Sequence, residues 1–230
     1  MSLASRFANY EKINGLIYVC AADSVISDSK TIEGYFYHEE RWVSGTFPYP
    51  GSLYKRVRVS ESILLELKNH LGDKIFNSNY FNKWQLWEHV STHSTAKQYV
   101  PRTIEYHSLE DLEKMIDTFD VIYMKPKTGM KGHGIVSVQK TSAGVKFTNR
   151  KKEISIFKSV KEAEDYINKV IKNKGYILQQ GVPTLFESRN VDFRMYLQKN
   201  EKKEWICQGL IGRFSKPNSI ITNMKMVDFV

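Results

Sequence analysis

A lysine near the end of a core-like strand is the feature that most constrains this chain. Residues 121–138 read VIYMKPKTGMKGHGIVSV. Two apolar runs of strand length flank a loop that carries Gly129, Gly132 and Gly134. Side chains alternate along a strand, so Val121, Tyr123 and Lys125 share one face and Ile122 and Met124 the other. A lysine in that setting needs water or an anion, because burying it unpaired is costly.

Glycine lets the backbone approach a ligand closely and take positive φ. Successive free N–H groups in such a loop can cradle phosphate. The loop lacks G-x-x-x-x-G-K-[ST], so it is not a P-loop. Its spacing is G-x-x-G-x-G and a strand follows it, which excludes a dinucleotide fingerprint. A glycine-rich hairpin over phosphates remains, without the H-R-D and D-F-G motifs of a protein kinase. From the loop alone, an ordinary hairpin with a flexible tip stands beside the phosphate cradle.

At 230 residues the chain can form one large or two small domains with a true core. Its apolar share of 41% and charged share of 26% are those of a globular protein. No apolar run reaches the ~20 residues of a membrane helix, so no membrane partner is expected. Cys20 and Cys207 have no motif spacing and read as reduced thiols of a cytoplasmic protein. The net charge of +9 suits a polyanion. It is densest over residues 146–174, where nine basic residues face four acidic ones, a pattern of a solvated face. No nucleic-acid motif accompanies it, so nucleic acid is not the expected partner.

Residues 12–59 read as strands and turns. Helices are expected at 60–72, capped by Ser60, and from Asn82 through Val90. A fresh run of elements opens near residue 96: a strand at 99–106, a helix with Ser108 and Asp111 at its cap, then the glycine hairpin. Residues 159–175 form the clearest helix. Ser159 and Glu162 make its capping box, Val160, Ala163, Ile167, Val170 and Ile171 its stripe, and Gly175 its stop. YILQQGV is a short strand, and VDFRMYLQK and EWICQGLIGRF form an antiparallel couple. His89 and His93 are i, i+4 neighbours with no third ligand, and Trp84 and Trp87 read as core anchors.

Taken together, NKWQLWEHV, VPRTIEY, YMKPKTGMKGHGI, YILQQGV and VDFRMYLQK resemble the ATP-grasp superfamily. Within it, IEGYFYHEERW, FPYPGSLYKRV and IFNSNYFNKW are similar to the YheC/YheD-type endospore coat-associated proteins of spore-forming bacteria. The resemblance implies an α+β chain: an N-terminal α/β pre-ATP-grasp domain over 1–80 and an ATP-grasp domain over 81–230, incomplete at its C-terminus. It implies ATP as ligand and roles position by position. Lys83 and Lys125 match the two nucleotide-phosphate lysines. Gly129, Lys131, Gly132 and Gly134 match the flap over the phosphates. Gln179, Gln180 and Val182 match the hinge, where the Gln180 carbonyl and Val182 N–H would hold the adenine edge. Asp192 matches an acidic position near the ribose, supported by Arg194. Arg213, as the catalytic candidate, and Asn223 resemble positions near the γ-phosphate.

The chemistry implied is that of carboxylate–amine ligases: the substrate acid becomes an acyl phosphate, which an amine then attacks. Lysines and magnesium offset the charge that builds on oxygen. The family's magnesium ligands come late, yet the residues after Arg213 contain one acid, Asp228. The expectation is therefore a truncated or naturally short ATP-grasp chain, without its own metal ligands, doubtful as a catalyst alone. The alternative is a non-catalytic spore-coat-associated structural protein, with coat proteins as partners.

Overall fold

A computed structural model describes residues 7, 15–129 and 132–215. The chain forms two compact units, Met1–Tyr80 and Phe81–Val230. The elements combine helices with largely antiparallel sheets, which is the α+β class.

The first unit holds strands β1 (Tyr18–Val19), β2 (Val25–Ile26), β3 (Thr31–His38) and β4 (Arg41–Pro48), with β3 paired to all three others. The β3–β4 hairpin turns on Glu39 and Glu40, both at positive φ (44° and 61°). Two positive-φ residues are what a tight primed turn requires, and Asn or Gly is the usual choice. Two glutamates give no such signal. Strands β5 (Leu53–Tyr54) and β6 (Ile75–Phe76) pair in parallel around helix α1 (Glu61–Leu71). Ser60 caps α1 by accepting from the Ile63 N–H, and Leu67 and Leu71 join Ile32, Tyr49 and Ile75 in a small core. The Tyr49 hydroxyl and the Ser27 hydroxyl each donate to Glu66 at 2.6 Å, which holds that carboxyl below its usual range.

The second unit is built on six antiparallel strands: β7 (Thr103–Glu105), β8 (Val121–Pro126), β9 (Val136–Thr141), β10 (Gly144–Asn149), β11 (Ile154–Phe157) and β12 (Tyr176–Gln180). Their spatial order is β11-β10-β9-β8-β12-β7. Helices α2 (Lys83–Ser91), α3 (Leu109–Thr118) and α4 (Glu164–Ile171) belong to the same unit. Alternation along the strands sorts the sheet into two faces. One face buries Ile122, Met124, Val136, Val138, Val145, Phe147 and Leu178 in a core with Leu112 and Ile116 of α3 and Ile167 of α4. The other face is half-buried and polar, carrying Tyr123, Lys125, Ser137, Gln139, Lys146 and Thr148.

Local sequence explains most of these elements. Asn82 caps α2 in a reciprocal box with Gln85: each backbone N–H donates to the other's side chain, at 2.9 and 3.0 Å. The Asp111 carboxylate accepts the N–H groups of His107 and Ser108 ahead of α3. Only half of the expected box forms: Ser159 Oγ accepts the Glu162 N–H, while the Glu162 carboxylate accepts the Lys158 N–H instead, and regular helix begins only at Glu164. That helix stops at Lys172, which is left-handed (φ 45°), three residues before the expected glycine. Gly175 instead makes room for its neighbour. A Cβ there would sit 3.1 Å from the Lys127 side chain, and its carbonyl accepts the Lys127 N–H. The expected strand at 99–106 shortens to β7, because Ala96–Tyr99 forms a 3-10 turn. Strands β13 (Leu185–Phe186), β14 (Arg189–Lys199) and β15 (Trp205–Phe214) form a separate antiparallel ribbon, irregular at Tyr196/Leu197.

Phe147 is fully buried and packs edge-on to Phe157 and Tyr166. Phe147→Ala is expected to lose about 3–5 kcal/mol, read as a lower urea midpoint; an unchanged midpoint would remove Phe147 from the core.

Candidate functional site

Lys125 is the penultimate residue of β8, on the polar face. Register sets its surroundings. Tyr123 of β8, Gln179 of β12 and Thr103 of β7 lie in one cross-strand row. From the adjacent position, the Lys125 amine reaches into that row and donates to Gln179 Oε1 at 2.6 Å. Gln179 Nε2 donates to Thr103 Oγ1 at 3.0 Å, and the Thr103 hydroxyl donates to the Pro101 carbonyl at 3.1 Å. Thr103 is wholly buried, so the chain Lys125–Gln179–Thr103 is anchored in the interior. The amine also lies 5.1 Å from the centre of the Tyr123 ring, within cation–π range.

Every partner in that chain is neutral. Among the described residues no carboxylate pairs with Lys125. Glu105 occupies the same register row as Lys125, two strands away, but its carboxylate is 2.7 Å from the Lys127 amine. Burial therefore pushes the Lys125 pKa down to about 8, and the nearby Lys83 charge pushes the same way.

Lys83 opens α2, and its amine donates to the carbonyls of Pro126 (2.9 Å) and Gly129 (3.1 Å). Its backbone N–H donates to the Lys127 carbonyl at 3.1 Å. The helix start is thus fastened to the glycine loop where that loop leaves β8. Gly129 takes φ 119° and Gly134 φ 73°, and a Cβ on Gly134 would lie 2.8 Å from the Tyr176 hydroxyl. Gly132 is also at positive φ, at 74°. His133, exposed at the loop tip, has both ring nitrogens 3.2–3.3 Å from the Arg150 guanidinium.

The structure brings Lys83, Lys125, Gly129 and Gln179 together, with Gly132 and Gly134 in the same loop. Gln180, at the end of β12, donates its N–H to the Arg102 carbonyl, and its side chain accepts the Arg102 N–H. Gly181 N–H donates to Val121 O at 2.7 Å, and Val182 beyond it is 54% exposed. Asp192 and Arg213 face each other across β14 and β15. Their pair is two-pronged, with Nη2 to Oδ2 at 2.6 Å and Nε to Oδ1. Arg194 stands two residues on, exposed, with Ile211 opposite. Lys131 and Asn223 lie outside the described residues.

Thr103 gives no sequence signal as a site residue, because only strand order joins it to Lys125. Tyr123 was legible as a face-mate of Lys125 but not as its ring neighbour. His93 Nδ1 accepts the Ala96 N–H, so it caps the 3-10 turn. Trp84 and Trp87 stack on each other 5.0 Å apart and remain half-exposed, since α2 buries none of its residues fully. Among the described residues no three of His, Cys, Asp and Glu gather where a metal could sit. Asp192 and Glu105 are engaged by Arg213 and Lys127, so this donor set does not fit the magnesium of the resemblance.

This sheet, with a lysine beside a glycine loop, is an ATP-grasp architecture. The family model described as "YheC/D like ATP-grasp" matches residues 72–227, more than half of the chain, and the chain belongs to that family. It is 28% identical over 229 residues to the endospore coat-associated protein YheD of Bacillus subtilis (strain 168), covering 94% of this chain and 50% of that protein. It is 20% identical over 211 residues to the endospore coat-associated protein YheC of the same strain, covering 86% of this chain and 58% of that one. The chain thus spans about half the length of the curated relatives it matches.

The depressed lysine has a definite sign in stability. Its folded pKa lies near 8 and its unfolded value near 10.5. The unfolded chain holds more protons between those values, so this group's penalty is full below pH 8 and fades as pH rises toward 10.5. Lys125→Met is expected to raise the urea midpoint at pH 7, with a gap that narrows by about pH 10. A gap that stays constant with pH would show that Lys125 titrates normally.

Proposed function

We propose that the second unit binds ATP or a related nucleotide through its phosphates, as the nucleotide-holding part of an ATP-dependent carboxylate–amine ligase type of protein. The observation that carries this reading is the half-buried Lys125, beside Lys83 and the glycine loop, with no carboxylate partner among the described residues. A cation held by neutral groups keeps its charge for an incoming anion, and phosphate oxygens supply it in quantity. Membership of the ATP-grasp family supports a nucleotide over other polyanions.

The roles follow chemically. Lys125 and Lys83 offset phosphate charge, and the loop of Gly129, Lys131, Gly132 and Gly134 brings backbone N–H groups over it. Gln180 and Val182, where β12 ends, supply backbone groups for the base edge. Asp192, Arg194, Arg213 and Asn223 serve the ribose and terminal phosphate. Magnesium supplies Lewis-acid charge neutralisation in such ligases; no described residues form a site for it, so no step here runs through it. Residues 1–80 act as the preceding domain. No helix among the described residues is long and apolar enough to cross a membrane, and we place the protein in the cytoplasm or at the spore coat.

A second reading rests on the names of the relatives, both called endospore coat-associated: the fold serves as a coat-associated structural module without turnover. One variant separates the two. Calorimetric titration should show ATP binding that Lys125→Ala abolishes and Lys83→Ala weakens by roughly tenfold or more, with little gain from added magnesium. Under the second reading Lys125→Ala leaves coat association intact. Wild-type affinity retained in Lys125→Ala would overturn the phosphate reading, and strong magnesium dependence would show that the described residues omit part of the site.

A further inference from the structure

Gln179 belongs to the strand end assigned above to the nucleotide base, yet its side chain points to a different role. Both ends of its amide are engaged inside the protein. Oε1 accepts from the Lys125 amine, and Nε2 donates to the Thr103 hydroxyl, which is itself fixed on the Pro101 carbonyl. That arrangement also fixes which way the amide points: only oxygen toward lysine satisfies the ammonium, which has no acceptor of its own.

The charges around the amine are as telling as the bonds. Lys83 approaches from α2, Tyr123 lies on the same strand, and Gln179 and Thr103 come from β12 and β7. None of these carries negative charge at neutral pH. Glu105, in the same register row, is held by Lys127 and lies 3.5 Å from His107. A glutamate at 179 would fit the same space and bond more strongly to the ammonium. It would also neutralise that ammonium permanently, and a buried pair of that kind has little left for a third party.

We propose that Gln179 is a positioning residue: its amide, anchored by Thr103, aims the Lys125 amine and, being neutral, leaves the ammonium charge for a phosphate ligand. This rests on the nucleotide reading only for the identity of the ligand. The positioning itself is a property of the ligand-free chain.

The test uses the full chain and two independent readouts. The first is the pH dependence of Lys125 acylation by a small amine reagent, followed by mass spectrometry without nucleotide. The second is ATP affinity by calorimetry. In Gln179→Glu the Lys125 titration should move up from about 8 toward its ordinary value, and ATP should bind roughly tenfold or more weakly. Thr103→Val should loosen the amide and shift the Lys125 labelling curve, while Thr103→Ser, which keeps the hydroxyl, should restore it. The Thr103 variants keep the idea testable if Gln179→Glu folds poorly. A labelling curve in Gln179→Glu that superimposes on wild type overturns the proposal, as does unchanged ATP affinity in that variant. If wild type binds no ATP but the labelling curve still shifts, the positioning role stands and the nucleotide reading falls.

Discussion

One lysine with no carboxylate partner among the described residues organises the second unit. The Lys125 ammonium sits on a sheet whose opposite face is a packed core of Ile122, Met124, Val138, Phe147 and Leu178. The sheet must be there to give those side chains a place to bury, and its alternation then forces Lys125 onto the other face. That face is half-buried, so the lysine is only partly solvated, and among the described residues no carboxylate neutralises it. The surroundings respond with neutral acceptors: an amide from β12, a hydroxyl behind it and an aromatic face beside it. The loop that follows is fastened by Lys83 at its start and crowded against Tyr176 at Gly134. Such an arrangement costs stability, which is characteristic of a site kept for a ligand.

Much of this was legible in the sequence, and the reasons differ by element. The placement of Lys125 followed from period-2 alternation, a local rule that holds whatever the strand pairs with. Asn82 and Asp111 were visible because capping is local too. What could not be read were pairings across long separations. Lys125 meets Gln179 at 54 residues' distance in sequence, and Gln179 meets Thr103 at 76. Those meetings depend on β12 inserting between β8 and β7, which no local pattern encodes. The early stop of α4 at Lys172 and the Glu39–Glu40 turn were hidden for another reason: both place ordinary side chains at positive φ, where sequence reasoning expects glycine or asparagine. Gly175 misled because the helix already stops at Lys172, three residues earlier.

The ribbon of β14 and β15 holds the other half of the candidate chemistry. Asp192 and Arg213 were separate roles in the sequence, one for ribose and one for terminal phosphate, and here they form a two-pronged pair. A bidentate pair fixes the guanidinium plane of Arg213 against Asp192. Family membership accounts for the sheet and loop, and the chain spans about half of its curated relatives' length. The activity of such a longer protein is a separate question from the phosphate affinity of this chain.

The central claim is that the Lys125 amine, held by neutral groups, is kept for a phosphate anion. Calorimetry of ATP binding at pH 8, repeated in buffers of different ionisation enthalpy, measures the protons exchanged. If phosphate is the partner of Lys125, its pKa of about 8 rises on binding, and the wild-type complex takes up a substantial fraction of a proton at that pH. ATP binding at pH 8 with no proton uptake would contradict it.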